Sequence, residues 1–235
     1  MEKAQNQTKR QKKIANLQNF YMEYKNLKHE IQCILQGKSE VSNGTLIQTI
    51  ASYLRRSQET SSMAQGSKHF KQQETKELIK FINIHHLWNC NIDFHSFITE
   101  GAEQRVYIQN EKTVLKLNDT IYYLSWLDYF ENLLLNNYFF PDTAYKLLGF
   151  YKSVDDVVYA LVEQSFVKAT THTDLEQVKD FLQNNGFENT KNHDYYNPDL
   201  GIILEDLHDE NVLTANDILY FIDTVFYIKP EILWN

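Results

Sequence analysis

The apolar residues of this chain change their period near residue 90, and that change limits the available folds more than any other feature. From Gln11 to Leu35, the residues Ile14, Leu17, Tyr21, Tyr24, Leu27, Ile31 and Ile34 recur at steps of three and four. That spacing lays them along one face of a helix. "GKSEVSNG" breaks it, and Leu46, Ile47, Ile50, Tyr53 and Leu54 form the face of a second, shorter helix. "SQETSSMAQGSK" (57–68) is polar and without period, which predicts a flexible linker. A third helix is expected from about Glu74 to Trp88.

Beyond it the apolar residues come in short runs. "EQRVYIQNEKTVLKLN" (103–118) reads as two strands around a turn at Asn110-Glu111, and "AYKLLGFYKSVDDVVYALVEQSFV" as a second hairpin turning at Val154-Asp155-Asp156. Between them, "TIYYLSWLDYFENLLLNNYFF" is apolar nearly all round, so a largely buried helix is predicted, with Tyr129, Phe130, Tyr138, Phe139 and Phe140 in the core. Thr173 with Glu176 three residues on is a capping box, and Gly186 suits the C-terminus of that helix. "LGIILEDL" and "ILYFIDTVFYI" then read as two more strands. Helices that do not alternate regularly with strands indicate an α+β fold.

Residues 1–80 carry 14 Lys+Arg against 7 Asp+Glu, and residues 81–235 carry 9 against 24. The resulting +7 and −15 suggest two regions with different surroundings. The expected division is a helical N-terminal extension over 1–90 and a compact domain over 91–235. An acidic second region repels phosphate backbones, while the basic helices leave nucleic acid open as a partner; a solvated face is the favoured reading, because no recognition motif is present. No apolar run approaches the roughly 20 residues of a membrane span. Cys33 and Cys90 lie far apart and outside any metal spacing, which points to reduced thiols in a cytoplasmic protein.

The chemistry-bearing residues fall in a definite order. Lys116 sits on a strand in "TVLKLN", sharing a face with Val114 and Asn118. A lysine there either reaches solvent along its stem or meets an anion. Asp206 and Asn211 stand five residues apart in "DLHDEN", where both residue types also serve as turn formers. Asp223 follows 17 residues after Asp206, at the end of an apolar strand. Together, Asp206 can accept a proton from an attacking hydroxyl, Asn211 and Asp223 can offer oxygens to Mg²⁺, and Lys116 can meet nucleotide phosphates.

"DLHDEN" followed by "ID" resembles the catalytic loop and metal aspartate of protein-kinase-like phosphotransferases, and is closest to the aminoglycoside-phosphotransferase style. The wider run "EGAEQRVY…LKLND…WLDYFENLLLNNYFFPDTAYKLLGF…VEQSFV…DYYNPDLGIILEDLHDENVLT…LYFIDTVFYI" is similar to the polyvalent-protein-type kinase domain of bacterial mobile elements and phages, over about residues 94–228. The resemblance implies a protein-kinase-like two-lobe fold with a much shortened C-lobe, the small lobe over about 91–163 and the second over about 164–235. It implies Mg-ATP as the bound nucleotide, with an unidentified protein or small molecule as hydroxyl acceptor. Asp206 becomes the catalytic aspartate, and Asn211 and Asp223 the metal ligands. Lys116, ion-paired with Glu131 (or with Asp128, one turn earlier), holds the phosphates. Gly101, Val106, Val114 and the hinge residues Glu163 and Gln164 complete the nucleotide site.

This chain departs from the wider kinase pattern in several ways. Gly101 is the one glycine left of a glycine-rich loop, with Thr99 and Gln104 at the other positions. Asp223 is followed by Thr-Val rather than Phe-Gly, and Leu204-Glu205 precede the catalytic aspartate. A non-catalytic interaction or nucleotide-sensing module is the alternative reading.

Overall fold

A computed structural model describes residues 25–60, 67–89, 91–101 and 104–235. The expected first helix is present over 25–35 (α1), and its continuation back to Gln11 lies outside the described residues. The second is longer than expected, Thr45–Thr60 (α2), and the third spans Ser67–Ile84 (α3). Residues 57–60 and 67–68 of the expected linker are therefore helical, and residues 61–66 lie outside the described residues. Periodicity missed these turns because their polar residues are good enough helix formers to extend a helix that tertiary packing holds elsewhere.

The strands begin with β1 (Phe97–Glu100), β2 (Gln104–Ile108) and β3 (Thr113–Asn118). α4 (Trp126–Phe139) follows, then β4 (Lys146–Lys152) and β5 (Val158–Ser165). They form one antiparallel sheet in the order β1-β2-β3-β5-β4. β3 is central and buried over most of its length. Alternation splits its side chains between two environments. Leu115 and Leu117 join Ile92, Tyr107 and Leu161 in a small cluster, and Lys116 lies on the other face. At Gly149 the backbone takes φ 141°, and a Cβ there would stand 2.4 Å from the Leu87 carbonyl oxygen. The missing side chain lets residues 87–89 bond to the edge strand, with Phe150 N–H donating to Leu87 O at 2.9 Å.

α4 starts at Trp126, six residues into the expected helix, because residues 119–125 form a turn. Ser125 caps it by accepting from Asp128 N–H at 3.0 Å. The helix is buried on nearly all sides, as expected, and its asparagines bond inside the core. Asn132 Oδ1 accepts from Phe226 N–H at 2.7 Å, while Asn137 accepts from Tyr145 N–H at 2.7 Å and donates to Tyr145 O at 2.8 Å.

α5 (Leu175–Asn184) is capped by Asp174, whose carboxylate accepts from Glu176 N–H at 3.0 Å. Thr173, the expected cap, sits one residue too early, and its hydroxyl pairs with Thr214 at 3.0 Å. Next come β6 (Glu188–Lys191) and β7 (Asp194–Asn197), a hairpin not expected from the sequence, and then β8 (Ile202–Glu205). β9 (Val212–Ala215) and β10 (Ile218–Phe221) pair across Asn216-Asp217, both at positive φ. β11 (Val225–Ile228) joins the order β11-β8-β7-β6, and α6 (Pro230–Leu233) closes the described chain. The stretch "ILYFIDTVFYI" is thus two strands in different sheets, separated at Ile222-Asp223-Thr224.

One apolar cluster runs from Ile31 and Leu35 of α1 through α2, α3 and α4 to Phe226 and Leu233. No helix among the described residues is long and apolar enough to cross a membrane.

Candidate functional site

Two adjoining cavities, of about 440 and 400 Å³, lie between the β1–β2 loop and the segments around β8–β11. They share Gly101, Gln104, Glu210, Asn211 and Asp223. The larger is lined by Val106, Val114, Lys116, the strip Gln164–Val167, Leu213 and Ile222. The smaller is lined by Asp206, His208, Glu205, Tyr122, Tyr123 and Tyr227.

Lys116 is 3 % exposed. Its ammonium donates to Ile222 O at 3.0 Å, lies 3.8 Å from Asp223 Oδ1, and sits 5.4 Å from the centre of the Tyr145 ring. Burial lowers its pKa from the ordinary lysine value, and the Asp223 charge opposes that shift. A buried cation with one longish ion pair has capacity left for an anion.

Asp206 follows β8 directly and takes φ 66°, in the left-handed region that aspartate tolerates better than most residues. Its N–H donates to Asp194 Oδ1 at 3.2 Å. Asn211 Nδ2 donates to both Asp206 O, at 2.9 Å, and Asp206 Oδ2, at 2.8 Å. The "DLHDEN" spacing therefore folds the loop back on itself through the Asn211 amide nitrogen, on a residue that lines both cavities. His208 Nε2 lies 3.2 Å from Asp206 Oδ1, so this histidine orients the aspartate. Glu205, beside it, has its pKa raised by burial and by the Asp194 and Asp206 charges.

Asp223 follows β10 by two residues, where β9–β10 pairing ends and Ile222 N–H donates to Asn211 O at 2.9 Å. That bond ties the two oxygen-bearing residues together. Gln104 Nε2 donates to Asp223 Oδ2, and the Tyr145 hydroxyl lies 3.4 Å from Asp223 Oδ1. Gln104, at a position where a glycine loop has no side chain, thus crosses the cleft.

The structure brings together Gly101, Val106, Val114, Lys116, Gln164, Asn211 and Asp223 along one cavity, with Asp206 on the adjoining one. It does not bring Glu131 or Asp128 there. Glu131 accepts from Arg55 Nη2 at 2.9 Å, on the side of α4 that meets α2. Arg55 also donates to Leu35 O at 2.9 Å, so the pair binds the helices to one another. Lys116 has Asp223 as its carboxylate partner instead. Glu163 is also displaced: its side chain points to Lys146, 3.6 Å away on β4, because alternation along β5 turns it from the cavity that Gln164 faces. The segment facing the cavity runs from Gln164 to Val167, up to three residues beyond the expected hinge.

Sequence reading missed Tyr145, Thr143 and the reach of Gln104. A tyrosine in an apolar run ordinarily reads as core, and the one available signal was that a buried phenol needs a partner.

Among the described residues, no group of three or more His, Cys, Asp or Glu side chains is placed to hold a metal ion. Asn211 Oδ1 and Asp223 offer one carboxamide and one carboxylate, oxygen donors suited to a hard cation that keeps several waters.

The model of the family described as "Serine/Threonine/Tyrosine Kinase found in polyvalent proteins" matches residues 71–230, more than half of the chain. No curated protein and no solved structure matches.

Proposed function

From the premise that the chain belongs to the family of Serine/Threonine/Tyrosine kinases found in polyvalent proteins, we propose that it transfers the γ-phosphate of Mg-ATP to a hydroxyl acceptor. One observation supports the reading above all. Lys116 from β3, Asn211 from the loop after β8 and Asp223 from the turn after β10 line one cavity, with Asp206 at its edge.

Val106, Val114, Leu213 and Ile222 would provide the apolar lining for adenine, and residues 165–167 the adjoining backbone. Lys116 meets the phosphates as a point charge. Asn211 and Asp223 would hold the metal. A bound Mg²⁺ would supply charge neutralisation at the transferring phosphate. Asp206, oriented by Asn211 and His208, accepts the proton of the acceptor hydroxyl as its oxygen bonds to phosphorus and the bridging oxygen leaves with ADP. Glu205 and Tyr227 border the space where the acceptor stands. The five-stranded sheet with α4 serves as the small lobe and residues after about 164 as an abbreviated second lobe.

Asp206→Asn tests the chemical step. The expected result is a fall of about 100-fold or more in γ-phosphate turnover, with ATP affinity within about threefold of wild type. Equal turnover would discard the role given to Asp206.

A second reading, a nucleotide sensor without turnover, is favoured by Glu131 being held by Arg55 and Asp223 by Gln104. It predicts Mg-dependent ATP binding with no turnover in either protein.

A further inference from the structure

The segment that carries Asp223 is held from one side by a short stretch of chain, residues 143–145. The Thr143 hydroxyl donates to Phe221 O. The Tyr145 hydroxyl donates to Ile222 O at 2.8 Å. Two side chains two residues apart thus take successive carbonyls just ahead of Asp223. The stretch is itself fixed. Asn137 bonds both the N–H and the carbonyl of Tyr145, at 2.7 and 2.8 Å, and Gln164 Nε2 donates to Thr143 O at 2.8 Å.

Tyr145 has no role assigned above, yet it meets Lys116, Ile222 and Asp223. Its ring lies 5.4 Å from the Lys116 ammonium, its oxygen shares Ile222 O with that ammonium, and the same oxygen is 3.4 Å from Asp223 Oδ1. It is 4 % exposed, so water does not compete for these contacts.

We infer that Tyr145, anchored on α4 through Asn137, is a positioning residue that sets the place of Ile222 and Asp223 and with them the affinity of the site for a divalent cation. The inference rests on Asp223 being a metal ligand, as proposed above. The hydroxyl acts through the Ile222 carbonyl rather than on substrate. The ring contributes separately, as the face on which the Lys116 charge rests.

Tyr145→Phe separates the two contributions, because it removes the hydroxyl and keeps the ring. ATP titrations at graded Mg²⁺ concentrations, on wild type and on the variant, read the outcome directly. The Mg²⁺ concentration for half-maximal enhancement of ATP binding should rise about tenfold, the usual cost of losing a partner that orients a metal ligand. ATP affinity without metal should stay within about twofold. Thr143→Val, which frees a carbonyl one residue further from Asp223, should lower the melting temperature while shifting the Mg²⁺ midpoint less than about threefold. A Tyr145→Phe protein that melts lower but keeps the wild-type Mg²⁺ midpoint would overturn the inference and leave the proposed function standing. Wild type that binds ATP without any Mg²⁺ dependence would overturn both.

Discussion

Lys116 is a buried cation whose ammonium is held by the Ile222 carbonyl and faces Asp223 at 3.8 Å. Its place on a strand, in order with Asp206, Asn211 and Asp223, made it a candidate phosphate ligand, and the two adjoining cavities are lined by all four. Its counter-charge was not legible. Glu131 sits at a suitable spacing on the following helix, but Arg55, 76 residues earlier, reaches it first, and no local pattern announces a contact of that range. Tyr145 was hidden for a different reason, since its phenol finds partners that only the fold supplies. The lysine also carries a stability cost. Its pKa in the folded protein lies below the unfolded value of about 10.5. The unfolded chain therefore binds this proton more tightly, and the lysine's contribution to stability rises with pH until that value is passed. Lys116→Met should raise the melting temperature at neutral pH by about 2–4 °C, the equivalent of roughly 1 kcal/mol at this size. The same change should weaken ATP binding more than about tenfold. Asp223, partly exposed, keeps access to water when the lysine is gone. Thermal melts and ATP titration on one preparation check both, and a destabilised variant that still binds ATP would contradict the assignment.

Among the elements, α4 was the most legible and also the most dependent on others. Its all-round apolar character announced a buried helix, yet its start is decided by Glu74 of α3. That carboxylate accepts from Trp126 N–H at 2.5 Å and Leu127 N–H at 3.2 Å, which satisfies donors the helix leaves open. Burial raises the Glu74 pKa to about 7, against the opposing pull of those backbone bonds. The folded state holds this proton more tightly than the unfolded one, so the contribution is fully present below about pH 4.5 and is lost as pH rises through about 7. Between about pH 5 and about pH 7.5, wild type should lose roughly 2 kcal/mol that Glu74→Gln does not lose. Urea unfolding of both proteins at the two pH values measures the difference, and parallel profiles would refute it. The β9–β10 hairpin was legible in principle, since Asn-Asp between apolar runs is a two-residue turn signal. It was missed because β9 is short and follows a loop read for its chemistry.

At the scale of the whole molecule, the change from basic to acidic composition does not coincide with a break in the core. Ile31, Ile50, Leu78, Phe130, Leu204 and Leu233 belong to one apolar cluster, and the family match begins at residue 71, inside α3. Composition reports the surface, whereas the core follows from packing that composition cannot show. The helices around α4 hold Glu131 and cap its first turn, so they help fix the sheet that carries Lys116. Lys116, Asn211 and Asp223 are proposed to form one nucleotide–metal site. The proposed site is tested most directly by titrating ATP, with and without Mg²⁺, into wild type and Asp223→Ala. Mg²⁺ should strengthen ATP binding by about tenfold or more in wild type and have no effect in Asp223→Ala, which should still bind metal-free ATP through Lys116. The absence of ATP binding by wild type, or an equal Mg²⁺ effect in both proteins, would contradict it.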